Sequence, residues 1–376
     1  MIKLNVPYFN EDERQAVEDC LSSGNLSQGE KVEEFEEKVR KYVGAKYAVA
    51  VSSCTAGLYL ALKLRGRTYS NDPLVPAFTF PAVQNAMLSV DEKARILDVD
   101  VEKETYNMDT NDLVKVITKS KPDKRSFSLI SLNTIIPIHQ FGLPCDMDKI
   151  NEIAKENELF VLEDAACALG SEYKGEKIGR RGTAVFSFHG RKIITTGEGG
   201  MVVTDDEELY EKVLEGRQYG RNRYGDFVSS GLNFKLSDVA ASIGIAQMDK
   251  LDEILRNRSF VAERYNELLY PFEEYELLHY SSGLNRPSYA DYLWSDTKTN
   301  WQSYVIRGVR NRDEVMRKMR AAGIECTLGS YDNSNGRCKV SQELSKTTLA
   351  LPCWSAPMPE ETIEKVVEEL GRCLKS

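Results

Sequence analysis

The sequence predicts an α/β protein: a large domain with a mostly parallel central sheet, followed by a smaller C-terminal α+β domain. Three observations predict it. Short apolar runs alternate with helical stretches as far as Thr204, the rhythm of parallel strands buried on both faces under helices. Helical spacing from Ser237 to Asn266 is long enough to link two domains. A chain of 376 residues, 41% of them hydrophobic, can bury one sizeable core and a second, smaller one. The expected division is 1–250 for the large domain, N-terminal helices included, and 251–376 for the small one.

In chain order, Asn10-Glu11-Asp12-Glu13 reads as an N-cap with its capping-box partner, opening a helix that Gly24 ends. A second helix is expected from about Glu30 to Val43. Strands are expected at Tyr47 to Val51, Leu74 to Pro76, Arg95 to Val99, Leu129 to Ile138, Leu159 to Leu162, Ala184 to Phe188 and Met201 to Thr204. The Ser237 to Asn266 helix carries Ala240, Ile243, Ile245, Met248, Leu251 and Leu255 at its apolar positions. Ser281 to Asn300 is polar, aromatic and irregular, and is expected as a surface loop. Trp301 to Val309 and Ile324 to Leu328 read as strands, Asp313 to Ala322 and Glu360 to Leu374 as helices.

Composition excludes several classes of function. The eight cysteines form no CxxC pair, which argues against a zinc knuckle or a thioredoxin-like motif. With three histidines and no HExxH, no metal centre is expected. Scattered cysteines suit reduced thiols, Met1 to Pro7 has no apolar h-region, and no apolar run could span a bilayer, so a cytoplasmic protein without a membrane partner is expected. A net charge of −9 gives no electrostatic footprint for nucleic acid.

Chemistry concentrates at the ends of the expected strands, where open parallel sheets place ligands. Lys192 follows the apolar run Ala184-Val185-Phe186-Ser187-Phe188 and precedes Gly197-Glu198-Gly199-Gly200. An amine beside buried aromatic surface is partly desolvated, which lowers its pKa and makes it a nucleophile for an aldehyde such as that of pyridoxal phosphate; a plain surface lysine is the alternative. Ser187 is placed to bond a phosphate. Ser53-Cys54-Thr55-Ala56-Gly57 joins a strand to a helix, either as a phosphate site at the helix N-terminus or as an ordinary N-cap. Asp164, ending a buried strand, suits a protonated pyridine nitrogen or caps the next helix. Phe78 and Phe80 stack on a flat ring or pack in the core. Gly231 to Asp238 is a polar turn ahead of the long helix.

In this order these segments resemble the DegT/DnrJ/EryC1/StrS sugar aminotransferases, within the fold type I pyridoxal-phosphate enzymes. The resemblance spans nearly the whole chain: Pro7 to Gly29, Ser53 to Leu62, Val75 to Ala86, Ile136 to Gly142, Glu163-Asp164, Ser187 to Gly200, Gly231 to Gln247 and Ala322 to Glu325. It implies that Lys192 is the Schiff-base lysine and proton carrier and that Asp164 holds the pyridinium proton. It further implies that Thr55, Ala56 and Ser187 bind the phosphate, that Phe80 stacks on the ring, and that Asn233 reaches a phosphate in the neighbouring subunit of a homodimer with shared active sites. The sequence departs from the family at Cys54, usually glycine or a small polar residue, and at Cys167, where His or Gln usually faces the cofactor. Thr327 to Asn333 also lacks the His/Tyr-Pro pattern of many relatives. His189 is read as structural or a minor substrate contact, and Glu198 and Lys235 as secondary substrate-contact candidates.

The implied activity is a ping-pong transamination. An amino acid, L-glutamate by resemblance, leaves its amino group on pyridoxal 5'-phosphate as pyridoxamine phosphate, and a nucleotide-linked keto-deoxysugar takes it. A keto-cyclitol acceptor is the leading variant. A pyridoxamine-dependent sugar dehydratase, which has histidine in place of the lysine, and a non-catalytic regulatory homologue are disfavoured by Lys192 and Asp164.

Overall fold

The computed structural model describes residues 1–65, 72–120, 132–269 and 297–375. Its central sheet forms from two groups of strands that meet on residues 160–164. On one side Leu97–Val99, Asp72–Pro76, Leu132–Ile135 and Phe160–Val161 lie parallel in that order. On the other, Glu163–Asp164 runs parallel to Thr183–Ser187, followed by Gly200–Thr204 and Tyr47–Val51. Only Leu162 separates the groups, and the ladder continues through it: its amide donates to Ile135 O (3.0 Å) and that of Asp164 to Pro137 O (2.9 Å). Gly200–Thr204 alone runs against its neighbours in this sheet. Thr183–Ser187 and Gly200–Thr204 are buried at every position, which is why they read as continuous apolar runs rather than alternating ones.

Register brings the functional positions to neighbouring rows at one end of the sheet. Val51 and Ser187 both pair with Gly200, while Asp164 pairs with Val185. A Cβ at Gly200 would lie 2.5 Å from Cys54 N and Ser53 C, so only glycine lets the strand pass this close to the helix start.

The first two helices, Glu11–Ser23 and Glu30–Val43, form as their sequence signals indicate, with the Asn10 capping box and an αL Gly24. The second buries Val32, Phe35, Val39 and Val43, one apolar stripe, against the core under the sheet. The single helix expected from Ser237 to Asn266 is instead two, Asp238–Asp249 and Leu251–Leu269. Lys250 interrupts them with a non-helical backbone (φ −116°, ψ 15°), and its ammonium turns inward to Glu13 (2.5 Å) and Asn10 (3.0 Å). A one-residue break leaves the apolar spacing almost intact, so periodicity reads through it.

In the C-terminal region Tyr304–Ile306, Leu349–Leu351 and Thr327–Leu328 form an antiparallel sheet. Helices Arg312–Ala321 and Glu360–Lys375 bury Met319, Ile363 and Leu370 in a core shared with Tyr265 and Trp301. Two expected strands are shorter than their apolar runs. Trp301 has φ +54°, which cannot continue a strand, and Ile324 makes only an isolated bridge to Ile2. Residues 129–131 of one expected strand and 281–296 of the expected loop lie outside the described residues. The N-terminal segment joins this region, since Leu4 O accepts from Cys353 N and Val6 O from Ser355 N. Tyr331–Asp332 pairs with Phe78–Thr79, so the C-terminal region also reaches the edge of the strand ends.

Candidate active site

A cavity of about 400 Å³ opens between the strand ends and the C-terminal region. One wall carries Ser53, Cys54, Thr55, Asp164, Cys167, Ser187, His189 and Lys192; the facing wall carries Gln302, Ser303, Thr327 to Tyr331 and Cys353, with Asn5 at the side. Its size is in the range of small-molecule sites.

Asp164 is fixed by the strand that carries it. Its Oδ1 accepts from Ala166 N at 2.9 Å, with the Cys54 thiol 4.0 Å away. Burial raises its pKa above the ordinary carboxylate value, against the pull of the Ala166 amide, Lys192 and His139. Next to it, Glu163 accepts from His139 Nε2 (2.9 Å), while His139 Nδ1 accepts from Cys145 N (3.0 Å), which sets the ring tautomer.

Lys192 sits on the excursion between Thr183–Ser187 and Gly200–Thr204, closed at its base by Phe188 N to Gly199 O (2.9 Å). Its Nζ lies 3.1 Å from Cys167 Sγ. The expectation of a lowered pKa is corrected here. Burial does lower it, but Cys167, Asp164 and Cys54 outweigh burial and hold the amine above its ordinary value.

Ser53 Oγ accepts from Ala56 N (3.1 Å), so the ordinary N-cap is present, with Thr55 exposed in the first turn of Cys54–Leu64. Ser187 is buried on the same wall. Phe80 stands at the cavity with 64% of its surface exposed, 6.3 Å from the Tyr331 ring, whereas Phe78 is packed in the core with Tyr106 and Phe141. Cys54 is buried with its thiol pushed well above its usual pKa by burial and Asp164. Asn233 is not brought to this cavity; it is exposed on the segment that bridges back to Gln218.

These residues fit pyridoxal phosphate. A buried carboxylate whose pKa is raised by burial calls for a protonated nitrogen, an amine shares the cavity with it, and a hydroxyl-lined helix start faces a buried serine.

Sequence reasoning missed Asn5, Gln302 and Ser303, which line the cavity. They lie on short segments without a motif, and only the tertiary fold brings them in.

The chain matches the model of the DegT/DnrJ/EryC1/StrS aminotransferase family over residues 7–371. It belongs to that family. It is 33% identical over 389 residues to the GDP-perosamine synthase of Caulobacter vibrioides, covering 99% of this chain and 98% of that protein. Among solved structures, the sugar aminotransferase CalS13 from Micromonospora echinospora is 27% identical with a TM-score of 0.83, covering 99% of this chain and 100% of CalS13. Spr1654 from Streptococcus pneumoniae, solved in its PMP-form, shares the fold at a TM-score of 0.87 and 22% identity, over 100% of this chain and 99% of Spr1654. This member of the DegT/DnrJ/EryC1/StrS family is thus a fold type I, pyridoxal-phosphate-dependent aminotransferase. Among its described residues no helix is long and apolar enough to cross a membrane, and no side-chain cluster could hold a metal ion.

Proposed function

We propose that this enzyme transfers the amino group of L-glutamate to a keto-deoxysugar carried on a nucleotide, through a pyridoxamine phosphate form, with Lys192 as the residue that joins the cofactor and carries the proton. The observation that carries the reading is the shared cavity of Lys192 and the buried Asp164. Pyridoxal phosphate, when bound, supplies an electron-accepting ring that stores the amino group between the two half-reactions. In this reading Asp164 would hold a proton on the ring nitrogen, because a buried carboxylate is stabilised by a cationic partner. Thr55, Ala56 and Ser187 hold the phosphate, and the exposed Phe80 ring covers the cofactor. Cys167 faces it beside Lys192. Lys192 Nζ, once deprotonated, would take the proton from the substrate carbon and carry it on Nζ for its return.

A GDP-linked sugar is the first acceptor to try, because a GDP-perosamine synthase is among the relatives. The enzyme acts as a cytoplasmic homodimer in which Asn233 serves the second copy's site. That arrangement is supported by the exposed Tyr219, Tyr224, Phe227, Val228 and Leu232 around it, an apolar patch suited to a subunit contact. Residues 1–250 are assigned to the cofactor domain and 251–376 to the smaller one, with Ile2 to Val6 reaching across to the latter.

The test is to supply pyridoxal phosphate, L-glutamate and a GDP-linked 4-keto-6-deoxysugar, and to follow 2-oxoglutarate and the aminosugar by mass. Formation of both in equal amounts is expected. Loss of water from the sugar without 2-oxoglutarate would contradict the reading.

A further inference from the structure

We propose that Arg258, Gln302 and Ser355 form a clamp on the lysine loop, so that the C-terminal region positions Lys192 from behind. The proposal rests on the reading of Lys192 as the cofactor-bearing residue. Lys192 lies in an irregular excursion, and among the described residues neither flanking carbonyl accepts a backbone hydrogen bond. Both are instead taken by side chains from far along the chain. Gln302 Nε2 donates to Arg191 O at 2.7 Å, and Ser355 Oγ donates to Ile193 O at 3.0 Å. A peptide held at the carbonyls on both sides of Lys192 has little freedom to swing its Cα.

Arg258, in helix Leu251–Leu269, holds both clamping residues. Its Nη1 donates to Trp301 O (2.8 Å) and Gln302 O (3.0 Å), and its Nε and Nη2 both reach Ser355 Oγ at 3.2 Å. The remaining bond goes from Nη2 to Asn5 Oδ1 (2.9 Å), on a side chain that lines the cavity. Arg258 and Ser355 are fully buried and Gln302 is 7% exposed. All these partners are neutral oxygens, so the guanidinium is buried at a cost that an apolar side chain of like volume would avoid. The planar fork answers the geometry, since it alone can address two carbonyls and a hydroxyl at once.

The same strap extends to the residue beside Lys192. Asn300 Nδ2 donates to Cys167 O and to Leu169 O, both at 2.8 Å. It fits only because residue 142 is glycine, at φ +96°, where a Cβ would lie 1.9 Å from Asn300 Oδ1. Residues 300–302 thus hold the backbone of Cys167 and the carbonyl preceding Lys192 together. Arg258, Gln302 and Ser355 are positioning residues: they act on the reaction through Lys192.

The test uses the full-length protein and the variants Ser355→Ala and Arg258→Lys. Hydrogen exchange over residues 189–196 is measured without cofactor, and kcat and KM with it. For Ser355→Ala we expect exchange in 189–196 to rise about fivefold with the central strands unchanged, and kcat to fall roughly tenfold with the KM for the amino donor within about twofold. Arg258→Lys, which keeps the charge and loses the fork, is expected to do the same or more; if it fails to fold, Ser355→Ala decides alone. Wild-type exchange or wild-type kcat in Ser355→Ala overturns the clamp. Borohydride-trapped cofactor on a lysine other than Lys192 in the wild type overturns the functional reading instead, and the two failures are separate measurements.

Discussion

The two walls of the cavity are built on different terms. The sheet wall takes Ser53, Asp164 and Ser187 from the ends of buried strands, where register sets Ser187 beside Gly200 and Asp164 beside Val185, and Lys192 from the excursion that follows Ser187. The facing wall takes Asn5, Gln302 and Tyr331 from short, irregular segments tied to it by isolated bridges and side-chain bonds. A site can therefore anchor its carboxylate and phosphate-facing residues at strand ends and leave contact with the variable part of a substrate to the other side.

Changes on the sheet wall are expected to act on turnover and cofactor chemistry, and changes on the facing wall on substrate affinity or lysine placement. The largest effect is expected for Lys192→Ala. Turnover should fall below detection, with a circular dichroism spectrum like that of the wild type, because the side chain is needed for the proton and not for the core. Measurable turnover in this variant would break the comparison at its strongest point.

Asp164→Asn comes next, with kcat expected to fall on the order of 10²-fold or more, as when a preorganised electrostatic partner is removed. In the cofactor-free protein the same change should leave the melting temperature equal or higher. The sign follows from the raised pKa: the fold already disfavours the carboxylate, so removing the charge relieves burial at neutral pH. A lower melting temperature without cofactor would place Asp164 among the structural carboxylates.

Cys167→Ala sharpens the picture of the amine. Lys192 has a raised pKa, so the nucleophilic, deprotonated fraction grows as pH rises, and cofactor capture should accelerate with pH above neutrality. Cys167 leads the groups that raise it, so the variant's capture profile, followed by stopped-flow absorbance, should shift to lower pH. A shift to higher pH would mean that the thiol does not stabilise the ammonium.

The smallest effect is expected on the other wall. Tyr331→Ala removes a 46% exposed ring beside Phe80, and the KM for the sugar acceptor should rise by about two- to tenfold with kcat little changed, the scale of one aromatic contact. A kcat loss as large as that of Asp164→Asn would erase the distinction between the walls.

How much of this was legible in the sequence follows the same division. The capping box at Asn10, the buried strand before Lys192 and the helix start at Ser53 are local signals, each set within a few residues, and the structure bears them out. Lys250 was not legible as a break, because the apolar spacing runs through it and its partner Glu13 lies far away in the N-terminal helix. Nor was the sign of the Lys192 shift, since burial is suggested by apolar neighbours while Cys167, Asp164 and Cys54 are assembled by the fold. Arg258, Gln302 and Ser355 carry no motif, and their connection to Lys192 runs through backbone carbonyls, which every residue has.

The central claim is that Lys192 joins the cofactor and gives it up to an amino donor. The direct measurement is the visible spectrum of the protein with pyridoxal phosphate, before and after L-glutamate, with borohydride reduction and peptide mapping of the trapped residue. A yellow protein that bleaches with glutamate, and a reduced adduct on Lys192, are expected. A colourless protein, or an adduct on any other lysine, would contradict that claim.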